Sequence, residues 1–179
     1  MSMASIYRDG GRTDLAIDTL VKANAAVPNS AEIKYDLAML YERQGNFEAF
    51  ERLMREVMVL EPDDANAFNS LGYTFADQNI RLDEAQALLE RALQLEPNNP
   101  YILDSVGWYM YRTGDYAAAV QYLERSFRAL PAADVAAHLG EVYWVMGRKD
   151  DALKIWEQGR EKDPNNDTLL KTLSRFGVK

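Results

Sequence analysis

The sequence contains no cysteine and only one histidine, so several kinds of site are excluded together. Without cysteine the chain cannot form disulfides, thiolate zinc sites or cysteine nucleophiles, although this absence does not fix the compartment. No Walker A loop, no GxGxxG motif after a strand and no HExxH motif occurs. No spacing of Ser or Asp with a base indicates a nucleophile. We therefore predict that the protein is not an enzyme and that it holds no cofactor and no metal.

Cations are also scarce, with 20 Lys and Arg residues against 28 Asp and Glu residues and a formal net charge of -8. This balance argues against nucleic acid as a partner, because most phosphate binders need a basic face. No stretch approaches the roughly 18 unbroken apolar residues of a membrane-spanning helix, so no membrane-spanning segment is expected. The N-terminal residues MSMASIYRDGG show no basic region followed by an apolar run, and no signal peptide is visible.

Proline is rare too, and five of the six prolines mark an internal period. They close similar phrases, and successive intervals are 34, 35, 34 and 33 residues, at Pro28, Pro62, Pro97, Pro131 and Pro164. Four of them are followed by a residue that we expect to cap the next helix, namely Asn29, Asp63, Asn98 and Asn165. A second break divides each interval, at Gly11, Gly45, Asp77–Asn79, Gly114 and Gly147. This pattern predicts a repeated pair of helices joined by a short turn.

Small residues recur where the paired helices must approach closely. They are Ala38, Gly72, Gly107 and Gly140 in the first helices and Ala16, Ala85, Ala119 and Ala152 in the second, with Phe50 as an exception. This small–large–proline pattern resembles the tetratricopeptide repeat (TPR) family over essentially the whole chain. The resemblance implies an all-α, right-handed α-solenoid of antiparallel helix pairs (a TPR superhelix) with a C-terminal capping helix.

The predicted organisation is a partial repeat at 1–30, full repeats at 31–64, 65–99, 100–132 and 133–166, and a capping helix at 167–179. The last helix places Leu169, Leu170, Leu173 and Phe176 on one side, where they would cover the final repeat. The first repeat has no such cover, and its first helix is expected at about Met3–Arg8. We therefore expect a fragment of a longer protein, with a homodimer through residues 1–25 or a poorly ordered first helix.

One face of each first helix carries aromatic and polar residues. In residues 101–112, Tyr101, Asp104, Trp108 and Tyr111 share this face, opposite the side that packs between helices. The TPR resemblance implies that this face lines a concave surface where peptides bind, so Trp108 and Tyr111 are expected outside the core. The predicted peptide-binding groove comprises Tyr35, Met39, Asn69, Tyr73, Tyr101, Asp104, Trp108, Tyr111, His138, Glu141 and Trp144.

The alternatives remain open at this point. Tyr73 and Tyr111 could instead fill gaps between helices, and His138 could be an incidental polar residue. TPR co-chaperones clamp a C-terminal carboxylate with Lys, Arg and Asn, whereas the same faces here carry Glu32, Asp36, Asp104, Asp134 and Glu141. A basic or apolar partner segment is therefore favoured over a free carboxylate.

The favoured function is a protein–protein interaction module, an adaptor or scaffold that binds a peptide or partner helix. The alternative is a segment for assembly or self-association within a larger bacterial envelope-associated protein. The phrases LGYTFADQN and DSVGWYMYRTG are similar to proteobacterial TPR proteins, some of which are exported or lipid-anchored. The localisation therefore stays open between the bacterial cytoplasm and the periplasm or outer membrane.

Overall fold

The computed structural model describes residues 12–178, and this part of the chain contains only helices joined by turns. The ten helices are α1 Thr13–Ala26, α2 Ala31–Arg43, α3 Phe47–Leu60, α4 Ala65–Asp77, α5 Leu82–Leu95, α6 Pro100–Arg112, α7 Tyr116–Ala129, α8 Ala133–Val145, α9 Lys149–Lys162 and α10 Asp167–Phe176. The all-α prediction is confirmed. The helix expected at Met3–Arg8 lies outside the described residues. None of the described helices is long and apolar enough to span a bilayer.

The turn within each full repeat contains a residue in the left-handed backbone region. Gly45, Gly114 and Gly147 adopt φ angles of 75°, 90° and 81°, and Asn79 takes the equivalent place at 56°. Glycine reaches this region without a steric penalty and asparagine at a small one. The Asn79 turn holds one extra residue, and Arg81 is also left-handed at a φ of 45°. Such short turns reverse the chain and lay consecutive helices side by side.

At the starts of α2, α6 and α10 the side-chain cap lies one residue later than the sequence pattern suggests. Ser30, rather than Asn29, accepts the backbone N–H of Ile33 at 3.3 Å. Asn99, rather than Asn98, accepts the backbone N–H of Tyr101 at 2.9 Å. Asn166, rather than Asn165, accepts the backbone N–H of Leu169 at 2.9 Å. The prediction that Asn29, Asn98 and Asn165 are caps is wrong, because the residue directly after each proline is still within the turn that separates the two helices.

The chain divides into two compact units at Leu71–Gly72, within α4, and each is described separately. In unit 1 the core is formed by the inward faces of α1, α2, α3 and the first part of α4. Its buried apolar residues include Ile17, Leu20, Leu37, Leu40, Phe50, Leu53, Met54, Val57 and Leu71. Phe50 occupies the place where other repeats have alanine, and it is 1% exposed.

In unit 2, glycines allow the paired helices to approach closely. A Cβ atom on Gly107 would lie 2.6 Å from Cγ of Leu123, and one on Gly72 would lie 2.8 Å from Cγ of Leu89. A Cβ atom on Gly140 would overlap the indole of Trp156. The buried apolar residues of unit 2 include Leu89, Ile102, Leu103, Leu123, Leu139, Val142, Trp156, Leu169 and Leu173.

The last helix, α10, contacts α8 and α9 in unit 2. It buries Leu169 and Leu173, and the ring of Phe176 lies 5.8 Å from that of Trp156. Leu170 is 46% exposed. The prediction that Leu170 shares the buried side is wrong, because Leu169, Leu173 and Phe176 follow the helical spacing of one face and Leu170 falls beside it.

Candidate functional site

In unit 1 the predicted groove residues lie on α2 and α4 and are only half-buried. The hydroxyls of Tyr35 and Ser70 are 3.0 Å apart, which joins the two helices. Met39 lies one turn after Tyr35 on the same face of α2. The Oδ1 atom of Asn69 is buried and has no hydrogen-bond partner in the described part of the chain. A buried amide oxygen normally has a hydrogen-bond donor, and Oδ1 of Asn69 is an exception.

Beside Tyr35 is a pocket of about 200 Å³ with acidic walls. It is lined by Ala31, Glu32, Tyr35, Asp36, Glu61, Asp64 and Asn66. Burial raises the pKa of the Tyr35 phenol, whereas its hydrogen bond with Ser70 lowers it. The charges of the neighbouring carboxylates Asp64 and Asp36 raise this pKa further. Four carboxylates around one phenol make this pocket suited to a cation.

In unit 2 four of the predicted groove residues form a buried cluster instead of an open face, namely Asp104, Trp108, His138 and Glu141. The indole of Trp108 is stacked on the imidazole of His138, with the ring centres 4.2 Å apart. Its Nε1 donates to Oδ1 of Asp77 at 3.0 Å. Trp108 is 4% exposed, so the prediction that it lies outside the core is wrong. The physical reason is that α8 places His138 directly against the face of α6 that carries Trp108.

His138 is held by a carboxylate from the neighbouring first helix. Its Nδ1 lies 3.0 Å from each carboxylate oxygen of Asp104, and its Nε2 lies 3.5 Å from the hydroxyl of Tyr73. Burial by itself would lower the pKa of His138, but the charge and hydrogen bond of Asp104, together with the charges of Asp77 and Glu141, raise it above its ordinary value. His138 is thus a buried structural partner of Asp104, and the interpretation of an incidental polar residue is wrong.

Glu141 is the second buried charge of this cluster and is 3% exposed. It accepts a hydrogen bond from the hydroxyl of Tyr111 at 3.0 Å and forms an ion pair with Arg175 of α10. Burial raises the pKa of Tyr111 well above its usual range, and the charge of Glu141 raises it further. Asp104 and Glu141 are therefore engaged with partners inside unit 2, so they are not open to a ligand as the sequence suggested.

Two other predicted residues of unit 2 are more accessible. Tyr101 is 62% exposed and borders a pocket of about 360 Å³ formed with the turn at 96–100. Trp144 is half-buried, and its ring lies 5.4 Å from Trp156 and 5.8 Å from Phe176. The ammonium of Lys149 lies 5.0 Å from the centre of the Trp144 ring. These two residues present aromatic surface that Trp108 does not.

Sequence reasoning missed Arg175, the cation that neutralises Glu141. The repeat interval itself would have indicated it, because Trp108, Glu141 and Arg175 follow one another at 33 and 34 residues and hold equivalent helix positions. The sequence prediction for the last helix considers only its apolar side, which does not include Arg175.

Residues 12–178 contain no group of three or more His, Asp or Glu side chains arranged to hold a metal ion. Three carboxylates around the Trp108 cluster of unit 2 are paired with donors: Asp77 with Trp108, Asp104 with His138, and Glu141 with Tyr111 and Arg175.

Comparison with known proteins identifies the repeats. The tetratricopeptide repeat pattern matches residues 7–71 and 110–175, and a second pattern of the same description matches residues 65–99. A TPR repeat-containing protein of Pseudomonas aeruginosa is 43% identical over 114 residues, which are 64% of this chain and 19% of that protein. The human protein O-mannosyl-transferase TMTC1 is 21% identical over 182 residues, 97% of this chain and 20% of that protein. The chain thus spans about a fifth of the length of these curated relatives.

A solved structure has the same fold. The crystal structure of a thermophilic TPR protein from Thermus thermophilus superposes with a TM-score of 0.84 and covers 98% of this chain and 96% of that one, at 19% sequence identity. The all-α solenoid class expected from the repeats is therefore confirmed. Because the tetratricopeptide repeat patterns match most of the sequence, the chain belongs to the tetratricopeptide repeat family.

Proposed function

We propose that this chain is a non-catalytic adaptor that binds a basic, partly apolar segment of a partner protein through its first-helix faces. The TPR fold supports a role in protein–protein interaction. The observation that carries the finer proposal is the acidic pocket of unit 1, in which four carboxylates surround the half-buried Tyr35. A Lys or Arg side chain entering this pocket would be attracted by all four carboxylates.

The neighbouring residues supply the other contacts that a peptide needs. Met39 adds apolar surface, and the unpaired Oδ1 of Asn69 would accept a backbone N–H after a small side-chain adjustment. Aromatic anchors among adaptable polar groups are common in protein interfaces. In unit 2 we propose Tyr101, Tyr111 and Trp144 as contacts, with Asp104, Trp108, His138 and Glu141 as the buried support beneath them.

The test uses two short fluorescein-labelled peptides, one of alternating Lys and Leu and one with Glu in place of each Lys. We expect the basic peptide to bind and the double variant E32Q/D36N to weaken it about three- to tenfold, because two rim charges are removed. The matched control, D150N/E157Q on α9, changes the net charge equally at exposed positions outside unit 1. Equal weakening by both double variants would show only a general charge effect and would contradict the proposal.

Self-association is a second candidate function. On α1, Leu15 and Val21 are each 43% exposed while Ala16, Ile17 and Leu20 of the same helix are buried. Exposed aliphatic residues of this kind favour pairing of repeats, because stacking is how a repeat buries its apolar faces. The part of the expected dimer surface at 1–11 lies outside the described residues. Sedimentation at several concentrations separates this candidate from a monomeric adaptor.

A further inference from the structure

A second pocket of unit 1, of about 480 Å³, combines cations with exposed aliphatic surface. It lies between the turn at Pro28, the start of α2 and the C-terminal half of α3. Its walls are Pro28, Asn29, Lys34, Arg52, Arg55, Glu56, Val59 and Leu60. Three cations and one carboxylate line this pocket, in a chain whose formal net charge is -8. Its charge is therefore opposite to that of the chain and to that of the pocket beside Tyr35.

The three cations of this pocket differ in their acidic partners. Lys34 is 6% exposed, and its ammonium donates one hydrogen bond, to Oε2 of Glu56 at 2.5 Å. An ammonium has three donors, so a single carboxylate leaves Lys34 able to bind a second one. Arg52 is exposed and has no acidic group within ion-pair distance in the described residues 12–178. Arg55 is oriented by Glu51, whose Oε1 accepts from Nη2 of Arg55 at 2.8 Å.

Apolar surface lies directly beside these cations. Val59 is 81% exposed, more than any other large hydrophobic side chain in the described part of the chain, and Leu60 is 37% exposed. Both belong to the last turn of α3, next to Pro28. Exposed aliphatic groups bordered by cations match a ligand that carries aliphatic side chains next to carboxylates, because both contacts are then made together.

We propose that this pocket binds an acidic, aliphatic peptide segment of a partner protein. Aliphatic side chains of that segment cover Val59 and Leu60, one carboxylate pairs with Arg52, and another shares the Lys34 ammonium with Glu56. The site is separate from the acidic pocket and has the opposite charge preference. It stands whether or not the proposed basic partner is correct.

The same two fluorescent peptides provide the test, with anisotropy as the measurement. We expect the Glu–Leu peptide to bind, R52E to weaken it by about fivefold or more, and V59S to weaken it about threefold. The control for R52E is K154E on α9, which changes the net charge by the same amount. The control for V59S is V145S at the end of α8, which makes the same substitution at another exposed valine. Circular dichroism should show the same melting temperature for R52E as for the wild type.

In contrast to R52E, the variant E56Q is expected to increase the affinity for the Glu–Leu peptide. Removing the Glu56 charge leaves the Lys34 ammonium without its ionic partner, so a ligand carboxylate should bind it more tightly and the affinity for the Glu–Leu peptide should rise. A fall in affinity with E56Q, or equal losses with R52E and K154E, overturns the proposal. Phosphatidylserine vesicles are the second ligand to be tested. If the protein binds these vesicles more tightly than the Glu–Leu peptide, and R52E abolishes that binding, the pocket recognises a lipid surface and the peptide proposal is overturned. R52E should leave binding of the Lys–Leu peptide unchanged, which separates this site from the acidic pocket.

Discussion

The contact between Gly140 and Trp156 allows the packing of unit 2 to be tested by adding one methyl group. In G140A, the new Cβ atom would overlap the five-membered ring of the Trp156 indole. That ring is 1% exposed, donates from Nε1 to the carbonyl of Ala137 at 3.3 Å, and lies 5.8 Å from Phe176. It cannot swing away into solvent, so either the ring and its neighbours shift or α8 and α9 separate.

Two opposing effects determine how far G140A changes the free energy of unfolding. Overpacking a core by a methyl group costs roughly 1–3 kcal/mol. Replacing a helical glycine by alanine gains at most about 1 kcal/mol from helix propensity. Because Trp156 is enclosed on several sides, we expect the first effect to prevail with a net loss of about 1–2 kcal/mol. For a chain of this length that corresponds to a fall in Tm of about 2–8 °C.

The measurement is thermal and urea unfolding followed by circular dichroism, interpreted where the transition is cooperative. The variant W156L supplies the background that isolates the contact, since it removes the ring that the methyl group meets. In that background G140A should be neutral or slightly stabilising. If G140A were as stable as the wild type, or equally destabilising in both backgrounds, the close approach of α8 and α9 described here would be refuted.

Three further predictions address other parts of the chain. G107L should destabilise by about 1–3 kcal/mol or more in urea unfolding, because even a Cβ atom at Gly107 would lie 2.6 Å from Cγ of Leu123; an unchanged midpoint would contradict the register of α6 and α7. His138 has a raised pKa in the folded chain, so its contribution to stability is complete below its unfolded pKa of about 6.5 and should fall as the pH rises from there through the folded pKa; H138Q should lose this part of the pH dependence of the unfolding free energy. L15E should abolish any concentration-dependent dimer in sedimentation, as Leu15 is 43% exposed on α1, whereas a dimer that persists in L15E would exclude this surface.

The helices could be predicted from the sequence because local signals specify them. Proline ends each repeat, a glycine or asparagine turns the chain in the middle, and small residues mark the close approaches, as at Gly107 and Gly140. All these signals act within a single helix or turn, or between helices that adjoin in sequence. The repeat boundaries derived from them remain a prediction, although first helices do begin at Ala31, Ala65, Pro100 and Ala133.

The candidate site was less predictable because its contacts join different repeats. A helical projection shows that Trp108 and Asp104 share a face, but it does not show what the next repeat places against that face. The imidazole of His138, 34 residues after Asp104, is stacked on Trp108 and converts an expected surface into a buried one. The ion pair between Glu141 and Arg175 likewise depends on the last helix continuing the repeat spacing.

This burial determines how the proposed binding role can be examined. W108A would remove a ring stacked on His138 and the donor to Asp77, so lost binding in that variant would not separate contact from collapse. Tyr101 offers a sharper probe, because it is 62% exposed and its side chain can be removed with little change in packing. A partner can contact only side chains that solvent also reaches. In the proposed binding role, specificity in unit 2 would therefore reside in the exposed aromatic groups, and the buried charges of Asp104 and Glu141 would hold the helices that present those groups.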